Sequence, residues 1–265
     1  MIRRFKPMAA RAARRITLAS LLALAPALAS PAGAAEGAIE IPKAGFSFSS
    51  PIGTFDRASL QRGAQIYMQV CANCHSLHQL YYRNLGQIGL PEAMVQGAAA
   101  SVEVPGAPDD NGQVNPRPGR PSDRFRAPFP NENAARAANN GALPPDLSVI
   151  VKAREGGADY IHALLVGYAD PPEGVNLPNG MHYNKYFPGH MIAMPKPLNE
   201  GQVEFADGTK ATEDQMSRDV ATFLAWAAEP NLETRRAMGI KILIFLVVLG
   251  GLTYAVKRKV WADLH

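Results

Sequence analysis

Residues 71–75 read CANCH, and Cys71 and Cys74 are the only cysteines among 265 residues. Two thiols three apart with a histidine directly behind them suit few chemistries. A redox dithiol needs Cys-x-x-Cys at the head of a helix in a βαβ unit, and no βαβ pattern surrounds this pair. A structural zinc site takes four ligands, usually from two cysteine pairs. His78, His162, His182 and His190 are available imidazoles, but no second pair accompanies them. Covalent attachment of a c-type haem needs Cys-x-x-Cys-His: two thiols to add across the vinyl groups and an imidazole to reach the iron. The adjacent His75 favours this third reading over the other two.

The N-terminal end fits a chain whose haem is attached after export. Residues 1–15 carry Arg3, Arg4, Lys6, Arg11, Arg14 and Arg15 with no acidic residue, and ITLASLLALAPALAS follows as a short apolar run. Small residues come next, with an A-x-A site at Ala32-Gly33-Ala34. That order is a secretory signal peptide. Cleavage is expected near residues 34–36, so residues 1–35 are excluded from the fold.

Charge reads differently once the ends are set aside. The whole chain is net +4, but six basic residues sit in the leader and six more (Arg235, Arg236, Lys241, Lys257, Arg258, Lys259) at the far end. Between residues 35 and 232 there remain 15 basic and 21 acidic residues. A nucleic-acid partner loses its only support. An acidic domain suits a basic protein partner drawn in by charge, although acidity alone also serves solubility.

MGIKILIFLVVLGGLTYAV, from Met238 to Val256, holds a single charge, Lys241. At helical rise this run nears the hydrocarbon thickness of a bilayer, and Lys241 can snorkel to the interface. Lys257-Arg258-Lys259 and Trp261 then mark an interfacial stop. Basic residues flank both sides, so the signal peptide decides orientation. The expected organisation is a leader at 1–35, an exported domain at 36–232, a connector and transmembrane anchor at 233–256, and a cytoplasmic tail at 257–265. This places a single-pass protein in a bacterial inner membrane with its domain on the periplasmic side.

The exported domain reads as mainly α and loop-rich. Asp56 is a good N-cap, and Leu60, Ala64, Tyr67, Met68 and Cys71 then share one helical face that would deliver CANCH. Residues 97–130, rich in Gly, Pro, Asp and Asn, predict a long irregular insertion. NENAARAANNG predicts a short capped helix ending at Gly141, and LPPDLSVIVKAREGGADYIHALLVGY two further helical segments. TEDQMSRDVATFLAWAAEP predicts another, with Thr212 as N-cap.

An iron used for electron transfer needs a sixth ligand. Met68 and Met216 sit in helical stripes and Met94 in an expected helix, which reads as core filler. YFPGHMIAMPKPL is different: Met191 and Met194 lie in a Pro- and Gly-rich loop, and Pro195 restrains the backbone at Met194. His190 is a rival ligand, and the pattern alone leaves the three open.

The run NENAARAANNGALPPDLSVIVKAREGGADYIHALLVGYADPPEGV resembles the cytochrome c1 family, the haem subunits of quinol–cytochrome c reductase (bc1) complexes. YNKYFPGHMIAMPKPL does so too, as does DVATFLAWAAEP…RRAMGIK before a single anchor, and the resemblance covers nearly the whole chain beyond the leader. It implies one haem c held by two thioethers to Cys71 and Cys74, with His75 and Met194 on the iron. It further implies that Arg154 faces a haem propionate, as suits a permanent planar cation, and that Tyr160 and the Asn139–Pro145 segment pack around the haem. Two features depart from the family pattern. His190-Met191 stands where Gln-Ala is common, and the additional cysteine pair of some bacterial relatives is missing.

The resemblance implies a redox subunit rather than a catalyst on its own, with no catalytic residue. It would take one electron from the Rieske iron–sulfur protein and pass it to a cytochrome c, with the anchor beside cytochrome b. An acceptor with a basic docking face fits the acidic domain, with Asp109, Asp110 and Glu173 as candidates for docking it. A free-standing anchored cytochrome and a thiol–disulfide oxidoreductase are the competing classes.

Overall fold

The computed structural model describes residues 39–262; the expected leader lies outside them. Helix α1, Arg57–Gln69, begins where the Asp56 carboxylate accepts from the N–H groups of Ala58 (2.9 Å) and Ser59 (3.3 Å), satisfying donors that a helix start leaves unpaired. Leu60, Ala64, Ile66 and Tyr67 are fully buried, and Met68 and Cys71 pack partly buried against the same cluster. The expected stripe is therefore the core face. A 3-10 turn, Cys71–Asn73, follows directly.

After a 3-10 segment at Tyr82–Ile88, helix α2 covers Glu92–Ala100. Met94 lies on its outer side, 58% exposed, so this methionine is surface and not core filler. The segment expected to be irregular contains order: strands β1, Glu103–Pro108, and β2, Val114–Pro118, pair as an antiparallel ribbon. Prolines are tolerated there because a two-stranded ribbon has edges on both sides, where a missing N–H breaks no ladder. Helix α2 also takes in residues 97–100 of that segment; the rest, to residue 130, is irregular as expected.

Helix α3, Glu132–Ala138, is capped by Asn131, whose side chain accepts from Ala134 N–H at 2.9 Å. It stops through left-handed Asn140 (φ 51°) and Gly141 (φ 85°). Only one of the two helical segments expected next is a helix: α4, Gly157–Val166. Residues 148–153 make turns, with Ala153 N–H donating to Val149 at 3.0 Å. The propagation stops at Gly156 and Gly157, both at positive φ. A two-residue pairing of β3, His182–Tyr183, with β4, Met191–Ile192, brackets a tight loop. Helix α5, Glu213–Ala228, starts at Thr212, whose hydroxyl accepts from Gln215 N–H at 3.1 Å.

Helices α1 and α5 cross at Gly63, which lies against the α5 backbone. Beside this crossing the fully buried Asp219 accepts from Ser59 Oγ (2.6 Å) and Arg62 Nε (2.7 Å). Trp226, Phe223, Tyr67, Leu60 and Met216 fill the centre. Helix α4 also packs against α5.

Helix α6, Leu232–Val260, has a mean hydropathy of 2.2 over its apolar window, none of it buried. Its 29 residues extend about 43 Å, enough to cross the roughly 30 Å hydrocarbon layer. The helix is continuous from the expected connector into the first residues of the expected tail. Its first turn is tied to the segment before α1. Glu233 accepts from Phe55 N–H (2.7 Å) and pairs with Arg57 (2.6 Å), and Arg236 donates to the carbonyls of Phe48 (2.9 Å) and Gly53 (2.7 Å). The architecture is mainly α and loop-rich, with one candidate membrane helix.

Candidate haem site

The CANCH segment leaves the end of α1 and runs directly against residues 145–148. His75 Nδ1 lies 2.8 Å from the carbonyl oxygen of Pro145. A carbonyl only accepts, so Nδ1 carries the proton and the Nε2 lone pair is left for a metal. Burial lowers the His75 pKa, opposed by the Pro145 bond and by Asp146, and this keeps the ring in the neutral form that ligates. Tyr67 Oη donates to the His75 carbonyl at 3.0 Å and fixes the backbone of the same residue.

One residue beyond Pro145, the Asp146 carboxylate accepts from Ser76 Oγ (2.8 Å), His78 N–H (2.9 Å) and Ser148 N–H (2.9 Å), and pairs with His78 Nδ1 (2.7 Å). Leu147 N–H donates to Ser76 at 2.9 Å and Gln79 N–H to Ser148 Oγ at 3.0 Å. Burial alone would raise the Asp146 pKa, but the hydrogen bonds from Ser148, His78 and Ser76 outweigh it and hold the carboxyl down at about 2. An ionised Asp146 thus buckles the CANCH loop to the loop that orients His75. Sequence reasoning stopped at Pro145 and missed this residue. The available signal was an Asp directly after a proline pair, a turn-forming sequence with a local acceptor.

Cys71 is half-buried and Cys74 exposed. Burial pushes the Cys71 thiol up to about 12, with Cys74 adding in the same direction. An attacking thiol of a disulfide oxidoreductase needs the opposite shift.

Of the three candidates for a sixth ligand, Met194 is partly buried against the core cluster. Its carbonyl accepts from Tyr168 Oη at 3.0 Å. Met191 alternates with buried Ile192 in β4 and is 39% exposed. His190 turns back on its own loop, with Nδ1 3.2 Å from the Asn184 carbonyl and its ring stacked on Tyr183 at 5.7 Å. The loop is organised by Asn184, which is fully buried. Its Nδ2 donates to Leu164 (2.8 Å), and its Oδ1 accepts from the N–H groups of Tyr186 (3.0 Å) and Phe187 (3.2 Å). Tyr168 and Asn184 carried no sequence signal beyond lying among aromatic residues and a turn.

Tyr160 is buried, which raises its pKa against the opposing field of the Arg154 guanidinium. Arg154 is exposed and donates only to the neighbouring Ala153 carbonyl at 3.1 Å. Asn139 caps α3, with Nδ2 donating to Ala135 at 2.7 Å, so its side chain is occupied with the helix end. The donor set fits a c-type haem: two thiols three residues apart, an imidazole with the correct nitrogen free, and a thioether on a separate braced loop.

A family model described as the Cytochrome C1 family matches residues 46–264. A "Cytochrome b/c1" of Bradyrhizobium diazoefficiens is 48% identical over 256 residues, covering 88% of this chain. This chain spans only 37% of that longer relative's length. A mitochondrial "Cytochrome c1-2, heme protein" of Solanum tuberosum is 50% identical over 231 residues, covering 87% of this chain and 88% of its own. A "Cytochrome c1" of Rhodospirillum rubrum is 42% identical over 253 residues, covering 89% of this chain and 93% of its own.

Proposed function

This chain belongs to the cytochrome c1 family, and from that membership we propose that it is the electron-transfer haem subunit of a quinol–cytochrome c reductase. In that role it takes one electron from a Rieske iron–sulfur protein and passes it to a cytochrome c. The observation that carries the reading is the 2.8 Å contact from His75 Nδ1 to the Pro145 carbonyl, which leaves Nε2 free to ligate a metal directly after two cysteines.

Bound through thioethers to Cys71 and Cys74, a haem c supplies a one-electron couple that side chains alone do not have. The chain's own residues do the rest. His75 and Met194 would hold the iron through a nitrogen and a sulfur, and their loops are braced independently, by Asp146 and by Tyr168 and Asn184. Such bracing lowers the reorganisation that accompanies a change of charge at the site. Arg154 offers a fixed positive charge for a propionate, and Pro145 positions the imidazole. Asn139 acts through the turn into that loop. The α6 helix holds the domain at the membrane beside cytochrome b. Residues 36–232 face the periplasm of a bacterial inner membrane, after removal of residues 1–35. The acidic balance of this domain draws in a cytochrome c with a basic face.

The test is a pair of difference spectra on the assembly pulled from membranes through a tag on this chain. An ascorbate-reducible c-type band with an additional b-type band seen only with dithionite is expected. A c-type band alone would make this a free-standing anchored carrier, and no c-type band would sink the haem reading. Met194→Leu is expected to remove thioether ligation, and Met191→Leu to leave it intact.

A further inference from the structure

The insertion between His75 and Pro145 builds a cationic face on a domain that is otherwise acidic. An antiparallel bridge pairs Tyr81 with Arg124. Along it Leu80, Tyr82 and Phe125 are buried, whereas Arg83, Arg124 and Arg126 are exposed. The guanidinium carbons of Arg83 and Arg124 lie 4.5 and 4.8 Å from the centroid of the Tyr81 ring. Both arginines are thereby held over one aromatic ring. Arg83, stacked this way, keeps the edge of its fork free to take a carboxylate in bidentate fashion, while Arg124 gives Nη1 to the His78 carbonyl and keeps its other N–H groups for one.

Among the described residues, the guanidinium groups of Arg83, Arg120, Arg124 and Arg126 have no carboxylate partner; Asp123, the nearest in sequence, is already engaged by Arg117 at 2.7 Å and by the Arg120 N–H at 2.7 Å. Arg124 also donates to the His78 carbonyl, which ties this face to the haem-attachment loop. Beside it opens a cavity of about 300 Å³ lined by Met68, Asn73, Tyr82, Phe125 and Arg126 among others. Unpaired cations next to a half-apolar recess suit an anionic chain that also carries an apolar side chain.

We propose that this face docks an acidic segment of a protein partner, its carboxylates on Arg83 and Arg124 and an apolar side chain in the recess. Position separates this partner from a lipid surface. The start of α1 is tied to the first turn of α6 through Arg57 and Glu233, and the cationic face lies at the other end of α1, about 20 Å along it. Its charge separates it from a basic cytochrome c, which the face would repel.

A photoreactive benzoylphenylalanine in place of exposed Ser122, irradiated in membranes containing the full assembly, tests this directly. The expected adduct is a protein segment rich in Asp and Glu. Its yield should fall as KCl rises and drop about tenfold in Arg83→Gln/Arg124→Gln. The c-type absorbance reports that the variant has folded, and the salt titration on the unaltered arginines stands without it. An adduct to phospholipid, to a segment without acidic residues, or to nothing above a probe placed at exposed Glu200 overturns the proposal. So does a yield indifferent to salt.

Discussion

Gly63 lies so close to α5 that a methyl group built on it would meet the carbonyl oxygen of Asp219 at 2.0 Å. The crossing of α1 and α5 is therefore a backbone-to-backbone contact, and it sets where α1 presents CANCH. Gly63→Ala has no flexible side chain to displace, so the helices must separate. A loss of about 3 kcal/mol is expected. Denaturant titration followed by the c-type absorbance checks it; an unchanged midpoint would mean that the helices slide without cost.

Tyr168 Oη donates to the Met194 carbonyl at 3.0 Å from a half-buried position. Tyr168→Phe keeps the ring and leaves that carbonyl without its partner, at about 1–2 kcal/mol. In haem-loaded protein the loosened loop should let added imidazole displace Met194 about tenfold more readily. The same titration of Met191→Leu should match the unaltered protein, because Met191 lies on the outer side of β4. Equal displacement in Tyr168→Phe and the unaltered chain would remove Tyr168 from any role in ligation.

Much of this arrangement was legible where local chemistry and burial agree. Asp56 and Thr212 cap their helices because each stands directly before an apolar stripe, and both stripes became core. The ribbon at residues 103–118 was hidden for a physical reason. Pro105, Pro108, Pro116 and Pro118 suppress the strand signal, yet they pair at the edges of two strands that need no further neighbour. The first of the two helices expected after Leu143 failed because Gly156 and Gly157 stop a single turn from propagating. Asp146 and Asn184 were invisible for another reason. Their value lies in partners that only the fold assembles, and a lone Asp or Asn in a turn looks the same whether it buckles two loops or faces water.

Asp146 gives a pH dependence with a definite sign. Its folded pKa is about 2, below the ordinary value of about 3.9, so the unfolded chain takes up the proton first as pH falls. The stabilisation is complete above about pH 4 and is lost on the way down through about pH 2. Since the side chain is 31% exposed, water screening reduces its worth to about 1–2 kcal/mol. Stability measured from pH 5 to 2 should fall more steeply in the unaltered chain than in Asp146→Asn. Parallel curves would show that the buckle between the two loops is made by the backbone bond from Leu147 to Ser76 instead.

Asn184 concentrates more of the loop in one side chain than any other residue of the Met194 region. Its amide spans from the α4 carbonyl of Leu164 to the N–H groups of Tyr186 and Phe187, and its own N–H reaches the His190 carbonyl at 2.9 Å. Asn184→Ala spares the backbone bond but strands one buried acceptor and two donors, a loss of about 3 kcal/mol or more. Asn184→Asp is the sharper probe. It keeps both accepted bonds, aims a carboxylate at the Leu164 carbonyl, and places that charge where no cation faces it among the bonds Asn184 makes. Aspartate should therefore be at least as damaging as alanine. In both variants amide exchange should accelerate across residues 184–192 while α1 and α5 keep their protection, because the loop is separately hung on α4. Unaltered exchange in that loop would mean that the β3–β4 pairing holds it alone.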